Sequence, residues 1–278
     1  MPLDTTAEPS YRPIGPPDVG DAERYVIHRE PDGVMLRGDN EVILPLLPPQ
    51  SIHVAVTSPP YNASIEKFTA SGFMKEKAMK AWIDKMANGY HDSIDEASYH
   101  TLIVTMLNNV ARVLVDDGSV WFNHKLRWRN KRLLHPYTMV SDSVLHPRSE
   151  IIWRRGMGIM QNARMPFLAE ERVYWLTKDP ERWQWNQEAV VLGNVWDIAP
   201  ASGKHGHPCV FPEKLVANCL NCVAQPGHVV MDPFAGTGTV GRVAKKFGCR
   251  YVLIERDPMY CDIIIEGLRQ DALPGMFQ

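Results

Sequence analysis

Two short stretches of this chain combine residue types at spacings that could do chemistry. The first is Thr57-Ser58-Pro59-Pro60-Tyr61-Asn62. Consecutive prolines fix their own φ angles, push the preceding residues into extended conformations and remove two N–H donors. What remains is a rigid ledge of acceptors, the Ser58 hydroxyl and the Ser58 and Pro59 carbonyls, with Tyr61 beside it offering an aromatic face for a flat heterocycle. Such a ledge suits an amino group conjugated to a ring, whose delocalised lone pair is a poor nucleophile. Hydrogen bonds accepted from its N–H groups favour the pyramidal geometry that forms as an electrophile arrives. No covalent intermediate is needed. The hexapeptide alone also fits a plain Pro-Pro turn that ends a strand.

The second stretch is Gly236-Thr237-Gly238-Thr239-Val240-Gly241, with Glu255 nineteen residues after Gly236. Glycines let the backbone approach a ligand, and the N-terminus of the following helix presents unpaired N–H groups to a carboxylate or phosphate. The acidic residue at the tip of the next strand accepts hydrogen bonds from ribose hydroxyls. A dinucleotide would satisfy this fingerprint as well as another adenosine cofactor would, but position separates them. Only 23 of the 278 residues follow Glu255, so most of the sheet must come from upstream, an order uncommon among dehydrogenases.

The surrounding pattern supplies the elements that hold these stretches. Short apolar runs at 53–56, 119–122, 150–153, 172–177, 228–231 and 251–255 predict strands, with 119–122 resuming after a break at Asp117-Gly118. Tyr99, Leu102, Ile103, Met106, Val110 and Leu114 fall at helical spacing, as do residues 240–247 and 212–223. Alternation of this kind predicts an α/β, Rossmann-like fold: a mostly parallel twisted sheet with helices on both faces. Residues 25–271 form the domain. Residues 1–24, with prolines at 2, 9, 13, 16 and 17, read as a flexible N-terminal arm outside the core. A Lys- and Met-rich stretch at 63–98 reads as a helical insertion. The polar, Trp-rich stretch at 178–206 reads as a second insertion, in which Trp183, Gln184, Trp185, Asn186 and Gln187 offer aromatic faces and polar edges to a partner or else are buried.

Thirty Lys and Arg against 32 Asp and Glu give a net charge of −2, which argues against a broad electrostatic grip on nucleic acid. Charge is uneven, however: residues 123–172 hold ten Lys or Arg against four Asp or Glu. The densest part, Lys125, Arg127, Arg129, Lys131 and Arg132 around Trp128, reads as a phosphate-contacting segment or as a solvated basic face. Five cysteines, an odd number, point to reduced thiols and a cytoplasmic location, and no apolar run is long enough for a membrane span. His205, His207, Cys209, Cys219 and Cys222 suggest zinc at first sight, but Cys219 and Cys222 fall in a helix whose apolar residues imply packing, so no metal is expected. Cys209 reads as a buried thiol. Asp116-Asp117 and Glu170-Glu171 read as surface charges.

Four motifs in one order, TSPPYN, HPCVFPEKL (His207 to Leu215), DPFAGTGT (Asp232 to Thr239) and YVLIERDP (Tyr251 to Pro258), resemble the β-class DNA amino-methyltransferases, in which the catalytic motif precedes the cofactor motifs. The resemblance spans about residues 34–268. It implies a catalytic pocket of Ser58, Pro59, Pro60 and Tyr61, and S-adenosylmethionine as cofactor, surrounded by Asp232, Phe234, Ala235, Gly236, Thr237, Gly238, Thr239 and Glu255. Phe211, Pro212 and Lys214 would close the methionine side, Asp39 would reach the adenine end, and the insertion at 178–206 would be the target-recognition segment, its Trp183 to Gln187 stacking on bases or reading base edges. The partner implied is double-stranded DNA with a flipped base; a homodimer and a companion restriction enzyme stay open. Ser at the first position of the catalytic motif is similar to cytosine-N4 enzymes, with adenine-N6 enzymes as the alternative. An NAD-dependent oxidoreductase would leave TSPPYN and FPEKL unexplained.

Overall fold

In the computed structural model the described residues are 15–62, 94–129, 131–156, 166, 168–201 and 211–271. Residues 1–14 of the expected arm, 63–93 of the expected helical insertion, 202–206 of the recognition stretch, and with them His205, His207 and Cys209, lie outside that set.

Runs such as Ile52–Thr57 are apolar at nearly every position, the mark of a strand covered on both faces. Among the described residues nine strands form one sheet: β1 (Val26–Glu30), β2 (Gly33–Arg37), β3 (Ile52–Thr57), β4 (Leu114–His124), β7 (His146–Arg154), β8 (Glu170–Thr177), β9 (Val195–Asp197), β10 (Val229–Asp232) and β11 (Arg250–Glu255). A separate hairpin pairs β5 (Arg127–Arg129) with β6 (Arg132–Leu134). The sheet order is β1-β2-β11-β10-β3-β4-β8-β7-β9. Only β1 and β8 run against the rest. The carboxyl ends of β3, β4, β10 and β11 therefore open on the same edge.

Among the described residues, six helices sandwich the sheet. On one face lie α1 (Asn40–Ile43), α2 (Glu96–Val113) and α3 (Tyr137–Ser141). On the other lie α4 (Glu213–Val223), α5 (Thr239–Lys246) and α6 (Pro258–Asp271). Helix α2 starts because the Asp95 carboxylate accepts the Ser98 N–H at 2.9 Å, and it buries Tyr99, Ile103, Met106, Leu107 and Val110. It runs straight into β4 at Leu114, without the break expected at Asp117-Gly118. Gly118 is instead a strand residue pressed on its neighbours, since a Cβ there would lie 3.1 Å from the His53 carbonyl.

The structure corrects the extent of the arm and, for two tryptophans, favours burial over base reading. Residues 20–25 form a 3-10 helix, and Val19 and Ala22, spaced one such turn apart, are buried in the core, so the end of the arm is part of the domain. Trp185 and Trp196 of the 178–206 stretch serve packing, while Trp183 stays 38% exposed. Trp185 stacks on Trp175 with centroids 4.9 Å apart, Trp196 is buried against Trp121, and the Asn186 amide donates to the carbonyls of Asn221 and Ala224 where α4 ends. Gln184 bonds through its backbone to Asp117, at the start of β4 and the opposite end of the sheet from Ser58. Residues 183–186 therefore sit away from the motif-bearing edge. Only β9 climbs back toward it, with Asp197 level with Arg154.

Candidate active site

At the carboxyl end of β10 the chain turns through Pro233 to Gly238 into α5. Gly236 and Gly238 adopt φ of +52° and +76°, left-handed values that disfavour any side chain. Gly241 lets the helix close on the sheet, because a Cβ there would fall 2.7 Å from Leu253. Glu255, at the tip of β11, accepts the Gly236 N–H at 2.8 Å on one oxygen and the Arg256 and Asp257 N–H groups, both at 2.9 Å, on the other. A carboxylate has about four lone-pair sites, so the oxygen facing Gly236 keeps one for a further donor. Asp232 is 4% exposed and accepts the Phe234 N–H at 3.0 Å. Burial, with the Glu255 charge adding to it, pushes its carboxyl up to about 7, and burial also raises Glu255. Two acids so short of positive charge fit a cationic ligand.

One cavity of about 120 Å³ touches the loop after β2, the catalytic motif and the glycine turn: Gly38, Asp39, Pro60, Phe234, Glu255 and Arg256 all line it. Asp39 stands at its rim, 3.6 Å from the Arg256 guanidinium. Ala235, Thr237 and Thr239 belong to the turn itself. Phe211, Pro212 and Lys214 lie at the start of α4, which meets that turn through Arg242: its guanidinium is 3.7 Å from Glu213 and donates to the Thr237 carbonyl at 2.6 Å. Lys214 is exposed.

Ser58 to Tyr61 leave the end of β3 beside this cavity. The Ser58 and Tyr61 hydroxyls are 2.7 Å apart, and the Tyr61 hydroxyl donates to Glu171 at 2.9 Å. Its one proton is thus engaged, so Ser58 is the donor of the pair and keeps its lone pairs for other partners. Asn123 Nδ2 lies 3.2 Å from Ser58 Oγ, 2.7 Å from the Tyr61 hydroxyl and 2.8 Å from Glu171 Oε2. Arg155 donates to the other Glu171 oxygen at 2.5 Å. The Pro60 carbonyl is taken by the Tyr99 hydroxyl at 2.5 Å. One edge of Tyr61 meets the His124 ring, centroids 4.9 Å apart. That imidazole is buried, and burial, with the Arg127 charge adding, holds it neutral with its pKa pushed down to about 3.

Glu171 is therefore not the surface charge that the sequence suggests. It is 3% exposed, because it enters β8 on the same face as Val173 and Trp175 and opposite the end of β4. Its inward position follows a period-two signal present in the sequence, Glu171, Val173, Trp175 and Thr177. Glu170 is half-buried and paired with Arg172. Asp116 does lie at the surface, 3.5 Å from Lys178. Arg127 and Arg129 are not phosphate ligands in waiting either. Arg127 is 8% exposed, forks onto the Glu96 carboxylate and lies 4.6 Å from the Tyr99 ring centre, and Arg129 reaches Glu96 and the Ile94 carbonyl. Cys219 and Cys222 are buried in α4, and among the described residues no cluster of metal ligands occurs.

A glycine turn at one strand end, an acid at the tip of its neighbour and an acceptor ledge on the next define a Rossmann-like methyltransferase. The fold agrees. The chain superposes on the PvuII DNA methyltransferase (cytosine-N4-specific) with a TM-score of 0.66, at 17% identity, covering 89% of this chain and 88% of that one. It also superposes on TTHA0409 from Thermus thermophilus, complexed with S-adenosyl-L-methionine, with a TM-score of 0.60, at 21% identity over 87% and 95% of the two chains. In sequence it is 24% identical to the Type II methyltransferase M.Cfr9I of Citrobacter freundii, over 84% of this chain and 87% of that protein. The family model described as DNA methylase, N6_N4_Mtase, matches residues 52–266. The chain belongs to this DNA methylase family, and its motif order makes it a β-class amino-methyltransferase.

Proposed function

We propose that the protein transfers a methyl group from S-adenosylmethionine to the N4 amine of a cytosine flipped out of double-stranded DNA. The observation that carries this reading is the Ser58 hydroxyl, turned by Tyr61 and Glu171 so that it accepts. Its size supports cytosine: a small neutral side chain suits a pyrimidine edge, where adenine-N6 enzymes more often have an acidic residue or Asn.

When bound, S-adenosylmethionine supplies an electrophilic methyl group on a sulfonium. Asp232 and Glu255 are the buried acids whose raised pKa values fit that cation, and Glu255 has the lone pair for a ribose hydroxyl. Phe234, Ala235, Gly236, Thr237, Gly238 and Thr239 wrap the same ligand; Asp39 serves its adenine end, and Phe211, Pro212 and Lys214 its methionine end. At the ledge, Ser58 Oγ and the Pro59 carbonyl accept the two amine protons and aim the nitrogen lone pair. Pro59 and Pro60, lacking N–H groups, offer that amine no competing donor. Once methylated, the nitrogen must shed one proton. Ser58 Oγ takes it while its own proton moves to Tyr61 and the Tyr61 proton to Glu171, a chain whose links measure 2.7 and 2.9 Å. Among the described residues no helix is long and apolar enough to cross a membrane, and we place this reaction with cytoplasmic DNA.

The test is the product. DNA from cells expressing the protein is digested to nucleosides for mass spectrometry, and long-read sequencing maps the site. N4-methylcytosine is expected; N6-methyladenine overturns the choice of base, and 5-methylcytosine overturns the chemistry as well.

A further inference from the structure

We propose that the β5–β6 hairpin is the wedge that meets the duplex beside the flipped nucleotide, with Trp128 and Leu133 against the base stack and Lys131 and Arg132 on the phosphates. This rests on the reading that a base is flipped into the Ser58–Tyr61 pocket.

The hairpin leaves β4 at that pocket. His124, the last residue of β4, touches Tyr61, and the Lys125 ammonium lies 5.0 Å from the Tyr61 ring centre. Two residues further on, the ribbon begins. In its register Trp128 faces Leu133 directly, and the two are 43% and 48% exposed. A lone exposed apolar side chain is ordinary, but a cross-strand pair joins into one apolar surface. The alternate residues do the opposite: Arg127 and Arg129 point back and are tied to Glu96 and the Ile94 carbonyl. An isolated two-stranded ribbon is marginal in water, so these ties are what stiffen it. A stiff ribbon can press on a duplex.

The charge favours nucleic acid as the occupant. Lys131 and Arg132, at the turn, are exposed and make no ion pair with any described residue, whereas most arginines of the same basic stretch are paired. A chain of net charge −2 has no general attraction for DNA, so the two exposed cations beside the base pocket set where it lands. Extruding a base costs its stacking, and an apolar side chain pushed into the step restores part of it.

The test uses a duplex carrying the mapped site in two forms, fully paired or with the target base opposite an abasic position, where flipping needs no wedge. The double variant W128A/L133A should lose roughly tenfold in kcat/KM on the paired duplex, the scale of one stacking contact. It should lose little on the abasic one, with the affinity for S-adenosylmethionine and the melting temperature unchanged. The pair K131A/R132A should lower the slope of log binding constant against log salt by about 1.8, at about 0.9 per phosphate contact. Wild-type rates for W128A/L133A on the paired duplex, or equal losses on both duplexes, overturn the wedge. A wild-type protein that methylates neither duplex instead strikes the methyltransferase reading beneath it.

Discussion

Replacing Glu171 by Gln keeps the shape of the side chain and removes the charge that orders the Ser58–Tyr61 pair. One Glu171 oxygen receives both Tyr61 and Asn123, and the other receives Arg155. The amide can keep its carbonyl toward Tyr61 and Asn123 only by turning its NH2 toward the Arg155 guanidinium, donor against donor. Truncating one member of a buried ion pair costs about 3–5 kcal/mol. Arg155 is 34% exposed and can turn to water, so stability should fall by less, about 2 kcal/mol. The larger effect is on turnover. A hydrogen bond to a charged group contributes about 1.5–3 kcal/mol, and its loss frees the Tyr61 proton to face Ser58, which then points its own proton at the incoming amine. Turnover at saturating S-adenosylmethionine should drop by roughly 10- to 150-fold, with cofactor affinity unchanged. Single-turnover methylation and isothermal titration measure the two separately. Unchanged turnover in Glu171→Gln, or a fall in cofactor affinity that accounts for the whole loss, would refute the relay.

Tyr61→Phe should reproduce most of that loss while Tyr61→Ala lowers turnover further, since the phenyl ring keeps the stacking face; cofactor affinity that collapses in either variant would reverse the assigned roles. Gly236→Arg should abolish S-adenosylmethionine binding in a folded protein, because a Cβ there meets nothing closer than 3.9 Å but a long side chain at this turn blocks the backbone's approach to the ligand, and Glu255→Ala should weaken binding by loosening the same turn. Unaltered titrations for both would remove the ligand from this loop. Asp232, held at about 7 against an ordinary 3.8, contributes stability in full below pH 3.8 that is lost as pH rises through 7; His124, held at about 3, contributes stability present above its ordinary 6.5 that is lost as pH falls toward 3. The two slopes oppose each other between pH 4 and 6.5. Asp232→Asn should therefore make stability rise more steeply with pH across that window, by up to about 1.4 kcal/mol per unit. Denaturation midpoints at several pH values check this, and an identical profile for the variant would mean that Asp232 is not held protonated.

The local code carried a great deal. Apolar runs at 53–56, 228–231 and 251–255 became the central strands because a strand buried on both faces has to be apolar throughout, and the glycine turn was legible because few other residues tolerate its left-handed angles. Motif order identified the family for the same reason: each motif is a contiguous stretch, so it survives as text. Tertiary structure decided which charges matter. Glu171, 110 residues from Tyr61, becomes part of the site only when β8 pairs with β4, and no local spacing links the two. Arg127 and Arg129 look like free cations until the start of α2 brings Glu96 beneath them, and Trp185 looks like a base-reading side chain until Trp175 is stacked on it. Hydrophobic periodicity reports which face a residue takes within its own element; what waits on that face is set by strand pairing and packing across the sheet, where the desolvation of a charge is met by a partner far along the chain.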